Sequence, residues 1–259
     1  MSDFLDVLAR VAQINIESAY YDNITPVDNV CVSLKNAILD CKLNSIITEI
    51  KAASPSAGVI GTNIEPAAMA KSMERGGATA LSVLTEPKQF SGSLDALAKA
   101  REAVKLPILM KDIILSPIQI QAAKKLGANA VLLIKALFDR GYSDKTLEEM
   151  IVGAHMLGLE VLLETHTPSE FAFASQTDAD LIGINNRNLA TLKVDLNVTK
   201  TILQSVNPKN NVIVSESGIN TAADMHFLRG MGASAFLIGS AIMLSDNIEE
   251  KVREFVNAK

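Results

Sequence analysis

The stretch 107–134, PILMKDIILSPIQIQAAKKLGANAVLLI, decides the fold. Pro107-Ile108-Leu109-Met110 runs into Lys111-Asp112, a short apolar strand that ends in charge. Ser116-Pro117-Ile118-Gln119 then supplies an N-cap hydroxyl, a first-turn proline and a glutamine at the third helical position, which together start a helix. Gly127 marks the helix end, and the residues from Ala130 to Ile134 are again apolar throughout. A strand, a helix and a second strand, with both strands apolar on both faces, make one βαβ unit of a helix-covered parallel sheet.

The same unit repeats on either side. Strands are expected at 45–51, 80–84, 108–111, 130–134, 160–164, 181–185, 212–215 and 235–238. Thr167-Pro168-Ser169-Glu170 repeats the helix start, and Thr221 to Asp224 is a weaker version. Gly76-Gly77, Gly158 and Gly232 mark further helix ends. Eight βα units in one series favour a closed (β/α)8 TIM barrel of the α/β class over an open sheet, which more often has five to seven strands. No Pro/Ser-rich linker divides the chain, so residues 1–259 are expected to form a single barrel domain. Residues 1–44 fall outside the repeat and read as an N-terminal helical extension, with Phe4, Leu8, Val11 and Ala12 at helical spacing.

Composition narrows the function. With 48% apolar and 20% charged residues the chain is globular. A net charge of −5 argues against general nucleic-acid binding. No apolar run is long enough to span a bilayer, so no membrane partner is expected. No targeting segment is evident, which points to the cytoplasm, and no long exposed apolar stripe is evident, which makes a monomer the expectation. Cys31 and Cys41, the two cysteines, read as reduced core residues. No His/Asp/Glu spacing suggests a metal site, and the glycines fit neither dinucleotide nor P-loop patterns, so no cofactor is expected.

Active sites of such folds lie at the carboxyl ends of the strands. In Ile46-Ile47-Thr48-Glu49-Ile50-Lys51, residues two apart share a face, so Glu49 and Lys51 point into one space. Lys111, Glu164, Asn185 and Glu216 end other strands. Acids, ammonium groups and an amide in one cluster suit proton transfer, because neighbouring charges separate acid from base. The direction of Glu216 depends on where its strand stops. Ser217-Gly218 and Gly239-Ser240 follow the last two strands, where barrels commonly bind phosphate through backbone N–H groups, and Ser54 and Ser56 could join that rim. Asp112 reads as a brace, His166 as an accompaniment of its turn, and His155 and His226 as structural. Phe90 is either loop packing or an aromatic wall.

These residues resemble the indole-3-glycerol phosphate synthase family. The resemblance rests on 47–56, Leu81-Ser82-Val83-Leu84-Thr85-Glu86, Pro107 to Asp112, Ile182-Gly183-Ile184-Asn185-Asn186-Arg187-Asn188-Leu189 and Ser215-Glu216-Ser217-Gly218-Ile219, in order along the chain. It implies a barrel with an N-terminal extension and a lyase of tryptophan biosynthesis. That enzyme converts 1-(2-carboxyphenylamino)-1-deoxyribulose 5-phosphate to indole-3-glycerol phosphate by ring closure, decarboxylation and dehydration. By resemblance Lys111 is the acid in ring closure, Lys51 meets the substrate carboxylate, Glu49 and Glu164 share acid/base work, and Asn185 holds hydroxyls or a water. Ser54, Ser217, Gly218, Gly239 and Ser240 would bind phosphate. Phe90, Leu132 and Ile134 would line the aromatic slot, with Arg187 at the rim. The chain departs from the family at Ile113, where Phe is usual and one aromatic wall is expected to be missing. It also departs at Ala52, often basic, and along 135–143, which reads as a divergent loop. The competing readings are another phosphate-binding barrel isomerase and a non-catalytic ligand-binding barrel.

Overall fold

The computed structural model describes residues 3–28, 30–51, 53–54, 58–59, 65–208 and 211–259, with the backbone alone at 53, 54 and 59. Strands Ser45–Ile50 (β1), Ala80–Leu84 (β2), Ile108–Lys111 (β3), Ala130–Ile134 (β4), Glu160–Thr165 (β5), Leu181–Asn185 (β6), Val212–Glu216 (β7) and Ala235–Ile238 (β8) pair in parallel and in sequence. β8 closes onto β1, from Ser45 opposite Ala235 to Thr48 opposite Ile238. The expected closed barrel is therefore present. Three strand ends differ by one residue from the expectation: β1 stops before Lys51, and β5 and β7 run on to Thr165 and Glu216. Residues 53–54 and 58–59 form a small antiparallel ladder after β1.

Period-two alternation sends one face of each strand into the barrel, where alternate strands supply four side chains per layer. The registers stack Ile47, Leu109, Leu162 and Val214 in one such layer, from the odd-numbered strands. Ser82, Leu132, Gly183 and Leu237 follow from the even-numbered strands. Outward-facing Ile46, Leu81, Val83, Ile108, Met110, Val131 and Val161 are buried under the surrounding helices. Ser116 and Gln119 form the expected capping box, and Thr167 caps its helix by accepting from Glu170 N. Thr221, which read as the weaker start, forms a complete capping box with Asp224. Gly77, Gly127, Gly158 and Gly232 all adopt positive φ before their strands.

The extension forms two helices that lie at opposite ends of the barrel. Phe4–Glu17 (α1) buries Leu5, Leu8, Ala9 and Ala12, which cluster with Ile113, Leu132 and Ile134 near the carboxyl ends. Leu34–Asp40 (α2) buries Leu34 and Ile38. Ser33 Oγ and Lys35 N bond Glu160, the first residue of β5, which places α2 at the amino end. Between them, Tyr20 Oη donates to Thr85 O (3.0 Å) and Tyr21 Oη to Asp112 (3.1 Å).

Two expectations are corrected. The stretch after β4 is not a plain loop: Lys135–Asp139 is helical. Arg140 beyond it bonds Asp3 (2.8 Å) and Asp6 (2.5 Å), and Tyr142 Oη donates to Asp6 (2.8 Å). This stretch clasps α1, and that contact between distant segments has no local sequence pattern. The cysteines are free but not in the core, since Cys31 is exposed and Cys41 only partly buried. They sit around α2, where the chain is wrapping the barrel rather than filling it.

Candidate active site

Above these two layers, the registers place Glu49, Lys111, Glu164 and Glu216 in a third, one from each odd strand. Three carboxylates and one ammonium thus occupy a layer that barrels usually fill with branched apolar side chains. Lys111 Nζ lies 2.6 Å from Glu216 Oε2 and 3.8 Å from Glu164 Oε2. Glu49 Oε1 pairs with Lys51 Nζ at 3.0 Å, so the two side chains do share one space. Asn185 Nδ2 donates to Glu164 Oε1 (3.0 Å), while Asn185 Oδ1 accepts from Arg187 N (2.9 Å).

Burial and charge set the acids apart. Burial pushes Glu49 up, but Lys51, Lys111 and Arg187 outweigh it and hold the carboxyl below its ordinary value. At Glu164 burial wins over the pull of Lys111 and Asn185, with Glu170 and Glu49 adding to the rise. Glu216 is likewise raised by burial against Lys111. Burial lowers Lys111, yet Glu216, Glu164 and Glu49 together raise it above an ordinary lysine. One carboxyl is thereby held below its ordinary value and two above it, the kind of separation that acid/base work requires.

A cavity of about 320 Å³ opens above this layer. Glu49, Lys51, Lys111, Glu164 and Asn185 line it, together with Phe90, Leu132, Ile134 and Arg187. Ser217, Gly218, Gly239 and Ser240 also line it. Glu216 does not reach the cavity. Its side chain is 1% exposed, and it contacts the site through Lys111. Ser217 and Gly218 both take positive φ (66° and 82°). A Cβ on Gly218 would meet Val194 Cγ1 at 2.4 Å, so only glycine fits beneath that side chain. Gly239, expected at the phosphate rim, lines the cavity and also abuts the acid/base pair. A Cβ there would lie 2.6 Å from Glu49 Oε1 and 2.8 Å from Lys51 Nζ, so its bare Cα makes room for the acid/base pair. The Ser54 side chain, Ser56 and Ala52 lie outside the described residues.

Several lining residues escaped sequence reasoning. Phe4 and Leu8 come from α1, which read as an appendage. Ile113 faces the cavity as the sequence comparison with the family suggested, but Phe4 and Phe90 supply aromatic surface to the same cavity. Glu86 shapes the wall from behind by accepting from Lys88 N, Gln89 N and Phe90 N (2.7, 2.6 and 3.1 Å). Its place after an apolar strand in Val83-Leu84-Thr85-Glu86 was the available signal. Asp112 is a brace, accepting from Thr85 Oγ1 (2.5 Å), Ile113 N and Tyr21 Oη, and burial pushes its carboxyl up to about 6. His166 sits in a smaller adjoining recess, where burial lowers its imidazole. Among the described residues no group of three His, Cys, Asp or Glu is placed to hold a metal ion.

Fold and site define a (β/α)8-barrel enzyme built for acid–base chemistry. The family model described as indole-3-glycerol phosphate synthase matches residues 5–255. Curated proteins of that name resemble the chain closely. That of Methanocaldococcus jannaschii is 48% identical over 82% of this chain and 78% of its own length. That of Neisseria meningitidis is 41% identical over 95% and 93%. The chain belongs to the indole-3-glycerol phosphate synthase family. Among solved structures, thiamine phosphate pyrophosphorylase from Pyrococcus furiosus superposes with a TM-score of 0.60 at 17% identity, covering 84% of this chain and 95% of that one. This likeness reflects the shared barrel.

Proposed function

We propose that this protein carries out the family reaction on 1-(2-carboxyphenylamino)-1-deoxyribulose 5-phosphate. The observation that carries the reading is the charged layer, with Glu49 held ionised and Glu164 raised on either side of Lys111 under a largely apolar cavity. In ring closure the aryl carbon bearing the carboxylate attacks the ketone carbon. The carbonyl π pair moves to oxygen, which takes a proton from Lys111. Loss of carbon dioxide returns its bonding pair to the ring, and Lys51 is the counter-charge for that carboxylate until it leaves. Dehydration then needs one proton delivered to the departing hydroxyl and one removed from the neighbouring carbon. Glu164 and Glu49 divide this work, with Asn185 orienting Glu164. Such positioned proton transfers contribute roughly 10²–10⁴-fold each.

The aromatic ring rests among Phe90, Leu132 and Ile134, with Arg187 at the rim. The phosphate binds at Ser217-Gly218, aided by Ser54, Gly239 and Ser240. Glycine-rich backbone and serine hydroxyls suit an anion. The protein works as a single-domain cytoplasmic monomer without a nucleic-acid or membrane partner. No described helix is long and apolar enough to cross a membrane.

The test is direct. Purified protein given the substrate, with no added cofactor, should generate indole fluorescence at a rate proportional to protein. Absence of emission at saturating substrate overturns the reading.

A further inference from the structure

The layer beneath the charged one holds a gap. Of its four members, Leu132 and Leu237 are large, Ser82 is small, and Gly183 has no side chain. Gly183 is paired with Glu164 on β5 and Val214 on β7, so it sits under both Glu164 and Glu216. A Cβ at 183 would lie 2.3 Å from Glu216 Oε1, 3.4 Å from Glu216 Cδ and 3.4 Å from Glu164 Cα. Glu216 therefore folds its carboxylate into the space over Gly183, and from there its other oxygen reaches Lys111 Nζ at 2.6 Å. Gly183 is in a regular strand at a φ that needs no glycine. Its want of a side chain is a matter of room. Glycine in a strand interior otherwise weakens it, so the residue here costs stability for a geometric return.

We infer that Gly183 is a positioning residue for the reaction proposed above: its bare Cα seats Glu216, and Glu216 in turn aims the Lys111 ammonium into the cavity. The inference rests on that reaction for its assay. A methyl group at 183 would evict the Glu216 carboxylate from its seat. Lys111 would lose its shortest ion pair while keeping Glu164 at 3.8 Å. Misplacement of a reacting group by about 1 Å costs up to roughly 10²-fold.

The experiment compares wild type, Gly183→Ala, Glu216→Asp and the double variant. Gly183→Ala should lower kcat by roughly 10–100-fold with KM nearly unchanged, because the cavity walls that touch substrate stay in place. The alkaline limb of its pH–rate profile should move to lower pH, since Lys111 loses a counter-charge. Glu216→Asp alone should also lower kcat, because the shorter side chain falls short of Lys111. In the double variant the shortened carboxylate clears the new methyl. It should do no worse than Glu216→Asp alone, so the two losses do not multiply. Wild-type kcat and pH profile in Gly183→Ala, or losses that multiply in the double variant, would overturn the inference. If Gly183→Ala does not fold, the double variant decides: it should fold and turn over like Glu216→Asp, and its failure to do so counts against the inference. Wild-type protein without indole formation would instead sink the proposed function.

Discussion

Replacing Lys111 by Met keeps most of the side-chain volume and removes the single positive charge from a layer with three carboxylates. Glu216 and Glu164 have side chains only 1% and 3% exposed, so neither can turn to water for compensation. Removing one partner of a buried pair costs about 3–5 kcal/mol. The two carboxylates can escape part of that cost by taking up protons, which makes the cost pH-dependent. An acid whose folded-state pKa is raised holds more protons folded than unfolded, so stability falls as pH rises from the unfolded value through the folded one. Burial already raises both glutamates, and loss of the ammonium raises them further. The deficit should thus be small near about pH 5 and largest near about pH 8. At about 2–4 °C per kcal/mol for a chain of this size, the variant should melt roughly 6–20 °C below wild type at the higher pH. Turnover should fall by at least about 100-fold throughout. Adding Glu216→Gln removes one stranded carboxylate, so it should return most of the stability and none of the turnover. Calorimetry across this pH range and initial rates of indole fluorescence check both halves. A melting deficit that does not grow with pH refutes the neutralising role of Lys111, and recovered turnover in the double variant refutes its role as the acid.

Glu164→Gln should keep the Asn185 contact but lower kcat by roughly 10²-fold or more with little change in KM, measured by the same rates. Asp112 holds a proton up to about 6 in the fold, against an ordinary value near 3.8. It therefore makes stability decline as pH rises across that window, and Asp112→Asn should flatten this slope in melts taken from about pH 4 to about pH 7. Arg140→Ala removes the ion pairs to Asp3 and Asp6 and leaves the Tyr142 bond to Asp6 as what remains of the clasp on α1. Because α1 carries Phe4 and Leu8 in the cavity wall, KM should rise several-fold while kcat holds, and a proportional loss of kcat alone would contradict this.

What sequence revealed depended on the reach of each interaction. The barrel was legible because apolar strands, helix caps and terminal glycines are local signals, the strands recurring eight times with three marked helix starts and four marked helix ends between them. Glu49 and Lys51 could be placed together from period-two alternation alone. Glu216 could not, since one residue more or less in β7 decides whether it points into the barrel. Gly239 read as a phosphate glycine because its motif is glycine-serine after the last strand. Its contact with Glu49 and Lys51 was beyond that motif, because they lie across the seam where β8 closes onto β1. The hidden parts of the site are contacts between distant segments. Phe4 reaches the cavity from α1, and Arg140 bonds Asp3 and Asp6 from a stretch that carries no motif of its own.

The charged layer sets folding and turnover against each other at the same four positions. Apolar residues substituted for buried ion pairs are often stabilising by about 1–4 kcal/mol, and a branched apolar quartet at 49, 111, 164 and 216 would complete the packing begun by Ile47, Leu109, Leu162 and Val214 below. A population of variants selected for heat resistance alone would drift toward such residues and lose activity as it gained stability. Selection that retains activity has to find its stability elsewhere, in the helix shell, the caps and the α1 clasp, and those are the regions in which relatives from hot and temperate habitats should differ most.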